Sequence, residues 1–220
     1  MTILLLVRHA LTEATGKRLS GWTPDVHLSE RGREQARELV DRLAPVRISA
    51  LYSSPLERCR ETAEPLAGAR RLEVRETEDI GEVRYGDWTG RTLAQLSKTM
   101  LWRSVQATPS AVRFPGGETL LEVQQRAVRS AGAIAAAHPR GVVALVSHGD
   151  VIRLLLAHFA GLHVDLFQRL VVSPASVSVV AAGDGVPRIL RINDTGGLRD
   201  LAPPRRRPGP RKGPPRKVGG

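Results

Sequence analysis

The stretch Leu4-Leu5-Leu6-Val7-Arg8-His9-Ala10 constrains this chain most. Four branched apolar residues in a row read as a strand buried on both faces. The run stops on an arginine and a histidine and opens into the polar loop Thr12-Glu13-Ala14-Thr15-Gly16. A second run, Val142 to Ser147, also ends in a histidine, His148, followed by Gly149 and a helical pattern. Side chains delivered to the carboxyl ends of strands sit at the rim of an α/β sheet, where ligands of such folds bind.

The rest of the chain fits that frame. Ser29 caps a helix whose Ala36, Leu39, Val40 and Leu43 share one face, with Pro45 beyond its end. Ile48 to Tyr52 predicts a strand, and Ser54-Pro55-Leu56-Glu57 a helix start running to about Ala67. A short strand is expected at 72–74, a Gly-rich loop over 80–90, and a helix over 92–101. Pro115-Gly116-Gly117 breaks the chain before the capping box Thr119 to Glu122, which opens a helix to about His138. A strand at 142–147, a helix at 150–160 and strands at 176–181 and 188–192 follow. Alternating strands and helices predict a three-layer α/β/α sandwich with a mostly parallel sheet.

The 220 residues suffice for one domain with a core, assigned to residues 1–198. Residues 199–220 are Pro, Gly, Arg and Lys rich, and 203–220 carry seven Lys and Arg with no acid. Such a segment cannot bury a core and is expected to be a disordered basic tail. Much of the formal charge of +11 therefore belongs to the tail. With no aromatic residue among its cations, the tail predicts no specific nucleic-acid partner. No apolar run is long enough to span a membrane, and the apolar run near the N-terminus lacks a positive leader, so neither membrane nor signal peptide is expected. The single Cys59 allows no internal disulfide and fits a reducing cytoplasm. A homodimer is the candidate assembly, with oligomeric state otherwise open.

Arg8 and His9, Ser53 and Ser54, Arg58 one turn into a helix, and His148 with Gly149 all fall at strand ends. Two arginines and two histidines around one cleft call for an anion. A phosphoryl group is neutralised by them and matches arginine's planar fork. One imidazole can attack phosphorus, and His9 at a strand end is the candidate. A protonated His148 would stabilise the equatorial oxygens. Glu82, in the Gly-rich loop, would protonate the leaving alkoxide and later activate water; nearness to phosphate should raise its pKa.

Leu6-Val7-Arg8-His9, Ser53-Ser54-Pro55-Leu56-x-Arg58, Glu82-x-x-x-Gly86-x-Trp88-x-Gly90, Pro115-Gly116-Gly117-Glu118 and Ser147-His148-Gly149 resemble, in order and spacing, the histidine phosphatase superfamily, the phosphoglycerate-mutase-like proteins. Gly21-Trp22-Thr23-Pro24 and Phe167-Gln168-Arg169 extend the likeness to actinobacterial phosphomutase and phosphatase members. The resemblance implies a phosphohistidine on His9, a phosphate pocket of Arg8, Arg58 and His148, Glu82 as proton donor, and neither metal nor cofactor. The substrate-binding set it implies is Arg8, Thr12, Thr15, Ser20, Gly21, Arg58, His148 and Gly149, and the partner a small phosphorylated metabolite. Two positions depart from the family: Ala10 stands where glycine is usual, and Thr15 where a phosphate-binding asparagine is usual. If residue 10 needed a positive φ, alanine would cost about 1 kcal/mol.

Only a helix-sized stretch separates Glu82 from Pro115, where sugar-phosphate mutases of the family carry an insertion. That favours a phosphatase over a phosphomutase. A non-catalytic phosphoester-binding module is the reading from a different class. Other phosphate chemistries lack their motifs: no Cys-x5-Arg surrounds Cys59, no nucleophile elbow surrounds Ser147, and no P-loop occurs. His27, His138, His158 and His163 lack ligand spacing and are expected at the surface or the edge of the core. Trp22 and Trp88 are expected near the pocket rim, as stacking platforms or as packing. Arg60, Arg84 and Arg153 are not expected to be catalytic.

Overall fold

A computed structural model describes residues 1–183 and 185–197. The six strands are β1 (Thr2–Arg8), β2 (Ala50–Ser53), β3 (Val74–Glu76), β4 (Val142–Ser147), β5 (Val177–Ala182) and β6 (Arg188–Asp194). The helices are α1 (Glu30–Arg42), α2 (Glu57–Arg70), α3 (Leu93–Leu96), α4 (Met100–Ala107), α5 (Leu120–Ala137) and α6 (Gly149–Phe159). The sheet order is β3-β2-β4-β1-β5-β6. β3, β2, β4 and β1 are mutually parallel, β5 runs antiparallel to β1, and β6 antiparallel to β5. Only β5 therefore opposes the rest.

Alternation along β1 sorts its side chains between two cores. Leu5 and Val7 pack with Leu39, Leu51, Ala63 and Leu66 under α1 and α2. Leu4 and Leu6 pack with Val123, Ala127, Ile152 and Leu155 under α5 and α6. These are the three layers expected from the alternating pattern. The expected cap at Ser29 is made, its hydroxyl accepting from the Gly32 amide, and the Thr119–Glu122 capping box closes in both directions.

Three local expectations shift. α2 begins at Glu57 with Leu56 at its cap and no side-chain capping bond, because the Ser54 hydroxyl is held by the His148 ring. The segment 92–101 forms two helices, since the Thr99 hydroxyl caps a new start instead of continuing the first. The third strand lies two residues later than expected, where Leu51 to Ser53 offer a parallel partner. The expected basic tail at 199–220 lies outside the described residues. Among the described residues no helix is long and apolar enough to cross a membrane.

Candidate active site

Parallel register brings the strand ends together. Arg8 lies opposite Ser147, and Ser53 opposite Val146. The ladder is carried one residue further by bonds from the His9 amide to the Ser147 carbonyl at 2.8 Å and from the Ser54 amide to the Val146 carbonyl at 2.9 Å. His9 and His148 thus leave neighbouring strands side by side, their ring centroids 5.3 Å apart and tilted by 60°.

The His9 Nδ1 lies 2.8 Å from the Ala10 carbonyl. A carbonyl only accepts, so Nδ1 carries the proton and Nε2 keeps its lone pair. Burial, then Arg58 and Arg8, hold this imidazole well below the usual histidine pKa, as a neutral nucleophile requires. Arg58, 2% exposed, donates from Nη2 to the Gly21 carbonyl at 2.8 Å and to the His148 Nδ1 at 3.2 Å. The Arg58 Nη1 and the Arg8 Nε are buried without a hydrogen-bond partner among the described residues. Arg8 donates from Nη1 to the Val172 carbonyl at 2.6 Å and lies across the first turn of α6. A Cβ on Gly149 would sit 3.2 Å from the Arg8 Cζ and Nε, so glycine there makes room for the guanidinium.

His148 is wholly buried, its Nε2 2.8 Å from the Ser54 hydroxyl and its Nδ1 3.7 Å from the Glu82 Oε2. The protonated state expected of it belongs to a phosphoryl-bound pocket; the protein's own groups act the other way. Burial first, then Arg58, His9, Arg126 and Arg8, push its pKa well below the usual value, favouring the neutral ring. A bound dianion would act in the opposite direction on both rings.

Glu82 is held from behind. Its carbonyl accepts from the Trp22 indole at 2.6 Å and from Arg126 at 2.9 Å. Arg126 also donates to the Asp79 and Gly81 carbonyls and is clamped by the Glu118 carboxylate at 2.9 and 3.0 Å. The turn at Gly86, at φ +54°, lies so close to the Pro115 carbonyl that a side chain there would collide with it. The Gly-rich loop and the Pro-Gly-Gly segment are therefore docked together. The Glu82 carboxyl is raised to about 7, by burial first and then by Asp150, against the lowering pull of Arg58 and Arg8. The direction matches expectation; its cause is the protein itself.

Arg8, His9, Thr12, Thr15, Ser20, Arg58, Glu82 and Gly149 line one cavity of about 470 Å³. His148 and Gly21 do not reach its wall: His148 lies behind Arg58, and Gly21 offers that arginine its carbonyl. Thr15 is occupied with the amide and hydroxyl of Thr12, at 3.0 Å each. Ala10 is not among the residues at positive φ, so the conditional strain is absent, and its amide donates to the Thr62 hydroxyl. Cys59 is buried against His148, its thiol pushed up to about 12 by burial, the packed residue expected. Trp22 lies outside the cavity wall, under the Arg84 guanidinium at 3.8 Å from the ring centroid.

Tyr85, Asp150, Trp102 and Phe114 also line the cavity without a sequence expectation there, as does Arg153, which sequence suggests only as a widening of the anion-binding surface. Tyr85 donates to the Asp150 carboxylate at 2.8 Å, and Arg153 does so at 2.9 Å. The i, i+3 spacing of Asp150 and Arg153, directly after His148-Gly149, was the signal available for that pair. Among the described residues no group of three or more His, Cys, Asp or Glu side chains is arranged to hold a metal ion.

The family description "histidine phosphatase superfamily (branch 1)" matches residues 4–195. Phosphoserine phosphatase 1 of Hydrogenobacter thermophilus is 32% identical over 205 residues, covering 89% of this chain and 93% of that protein. The bifunctional protein Rv2228c of Mycobacterium tuberculosis is 32% identical over 202 residues, covering 90% of this chain; the match spans only 55% of that longer protein. Among solved structures, YhfR of Bacillus stearothermophilus superposes with a TM-score of 0.83 at 29% identity, covering 88% of this chain and 98% of that one.

Proposed function

The chain belongs to the histidine phosphatase superfamily, branch 1, and from that premise we propose that it is a metal-independent phosphatase. It hydrolyses a small phosphomonoester through a phosphohistidine on His9. The observation that carries this reading is the pairing of a neutral His9, its Nε2 lone pair free, with the partnerless buried donors of Arg58 and Arg8 in one cavity.

In the first step the His9 Nε2 attacks phosphorus, the P–O bond to the alcohol breaks, and the carboxylic proton of Glu82 passes to the departing oxygen. Arg8 and Arg58 neutralise the phosphoryl oxygens. The incoming dianion raises the pKa of His148 behind Arg58, and the imidazolium so favoured adds its positive charge to the field on those oxygens through Arg58. In the second step the Glu82 carboxylate takes a proton from water, the hydroxyl attacks phosphorus, and the P–N bond returns its electrons to His9. A pKa near 7 suits one carboxyl to both roles. The segment between Glu82 and Pro115 holds only the four-residue α3, the eight-residue α4 and short turns. That supports transfer to water over transfer to a second substrate hydroxyl. The same reading assigns residues 1–198 to one catalytic domain and the protein to a reducing cytoplasm.

The test is trapping by quench into alkaline detergent with phosphorus-labelled p-nitrophenyl phosphate in the presence of EDTA. Acid-labile, base-stable label on the native protein and none on His9→Ala is expected, with turnover in the variant lower by at least about 10⁴-fold. Turnover unchanged in His9→Ala, or abolished by EDTA in the native protein, would overturn the reading. A phosphosugar acid that returns as a positional isomer instead of free phosphate would make it a mutase.

A further inference from the structure

The cavity has two unlike ends. Resting on the phosphatase reading, we propose that the alcohol half of the substrate is uncharged and largely apolar, seated on an aromatic wall, and that phosphoesters bearing a carboxylate are poor substrates.

That wall is continuous. Tyr85 meets Phe114 edge-on at 5.0 Å between centroids, Phe114 meets Trp88 at 5.4 Å, and Trp88 stacks on Trp102 at 6.1 Å. Val105, Phe167, Leu19, Leu93 and Leu120 add to the apolar lining. The aromatic rings are buried except for the half-buried Trp102, so the apolar wall they show the cavity is preformed, and apolar walls beside a few convergent polar groups are usual in sites for an apolar ligand moiety.

Outside the phosphate-facing end, the half-buried cation of the cavity is already paired and the other is exposed to solvent. Arg153 is engaged by the Asp150 carboxylate through Nη1 and by the Leu170 carbonyl through Nε at 3.0 Å. Arg18 is exposed and donates to the Gly90 carbonyl at 3.1 Å. Asp150 and Glu82 meanwhile present two acidic side chains to the same space. A substrate carboxylate entering here would lose hydration, approach Glu82, and meet as its one cation without a carboxylate partner among the described residues the exposed, solvent-screened Arg18. The uncharged polar groups of this region are Gln106 and Gln168, and the amide nitrogen of Gln168 is already given to the Val105 carbonyl at 3.3 Å. They suit a hydroxyl or amide at the far tip of the alcohol, not an ion.

The experiment compares kcat/KM for four esters with alkoxide leaving groups: 2-phenylethyl phosphate, ethyl phosphate, O-phospho-L-serine and 3-phosphoglycerate. The expected order places 2-phenylethyl phosphate at least about tenfold above each of the others. Gln106→Lys, on an exposed position of α4, should narrow the gap by raising kcat/KM for the two acids about tenfold. Trp102→Ala should reduce the advantage of 2-phenylethyl over ethyl phosphate to less than about threefold, through KM. Either acid matching or exceeding 2-phenylethyl phosphate would overturn the inference while leaving the phosphatase reading intact. If no ester is turned over, that reading fails instead. Calorimetric binding of the same four esters to His9→Ala then decides the inference, an equal or reversed order of affinities overturning it.

Discussion

At one end of the cavity, Arg8 and His9, with His148 behind Arg58, issue from adjacent parallel strands, and their spacing is the spacing of the ladder. At the other, Trp88, Trp102, Phe114 and Phe167 come from four separate segments that share no strand pairing. The phosphate-facing end is located by backbone hydrogen bonds and backed by two buried cores. The aromatic end is located by side chains packing on one another. The first is rigid in position and indifferent to the substrate's alcohol. The second shares its rings with the core, and its half-buried member, Trp102, is the one most open to change, so reaction class and preference are carried by different parts of one cavity.

The strongest way to break that division is Arg58→Ala. It should lower kcat/KM about 100- to 1,000-fold for every phosphoester tested, measured by phosphate release on protein whose fold is checked by circular dichroism. A loss confined to some esters would show that the phosphate-facing end also reads the alcohol.

Glu82→Gln comes next. Alkyl esters should slow by about 100-fold, and p-nitrophenyl phosphate, whose leaving group needs little protonation, far less. Because the carboxyl must be protonated in the first step and is raised to about 7, kcat/KM for alkyl esters in the native protein should fall as pH rises through that value. The fall should vanish in the variant. Equal slowing of both ester types would remove Glu82 from the role of acid.

Asp150→Asn sharpens the comparison at the boundary between the two ends. Asp150 is the second cause, after burial, of the raised Glu82 carboxyl. Removing its charge, and freeing that of Arg153, should move the alkaline limb to lower pH and cost only a few-fold in kcat/KM at neutral pH, about what a fraction of a pKa shift delivers. A limb that stays in place or moves upward would mean that Asp150 does not set the acid's proton affinity. The smallest effect is expected from deleting residues 199–220, which should change kcat/KM for ethyl phosphate by less than about twofold. A larger loss would add the basic tail to the site.

Sequence reading found the strand ends because a buried strand that stops on Arg-His, and another that stops on Ser-His-Gly, carry their message within a few residues. The start of α2 differs because Ser54 has two partners to choose between: amides two or three residues on, of which Leu56 reaches it only at 3.4 Å, and an imidazole 94 residues away at 2.8 Å. Only the folded sheet brings the second within reach. For the same reason Ser54 reads as a cap in the sequence, while its hydroxyl orients His148. Arg126, which holds the Glu82 loop by its carbonyls, carries no local pattern that separates it from a solvent-facing helix residue; Glu118, which clamps it, is legible only as the last member of Pro115-Gly116-Gly117-Glu118.

From the order of residues alone come the alternation of strand and helix, the three layers, the single chain of motifs, and the meeting of Arg8, His9, Arg58 and His148 at one rim, because hydrogen-bonding periodicity and buried apolar runs are local properties. What needed the tertiary structure is the state of those groups and the shape of their surroundings. The neutrality of His148, the carboxyl of Glu82 raised by burial and Asp150, and the aromatic wall all depend on which charges and rings come to lie side by side. Desolvation and Coulomb interaction act through space, and no spacing along the chain encodes those distances.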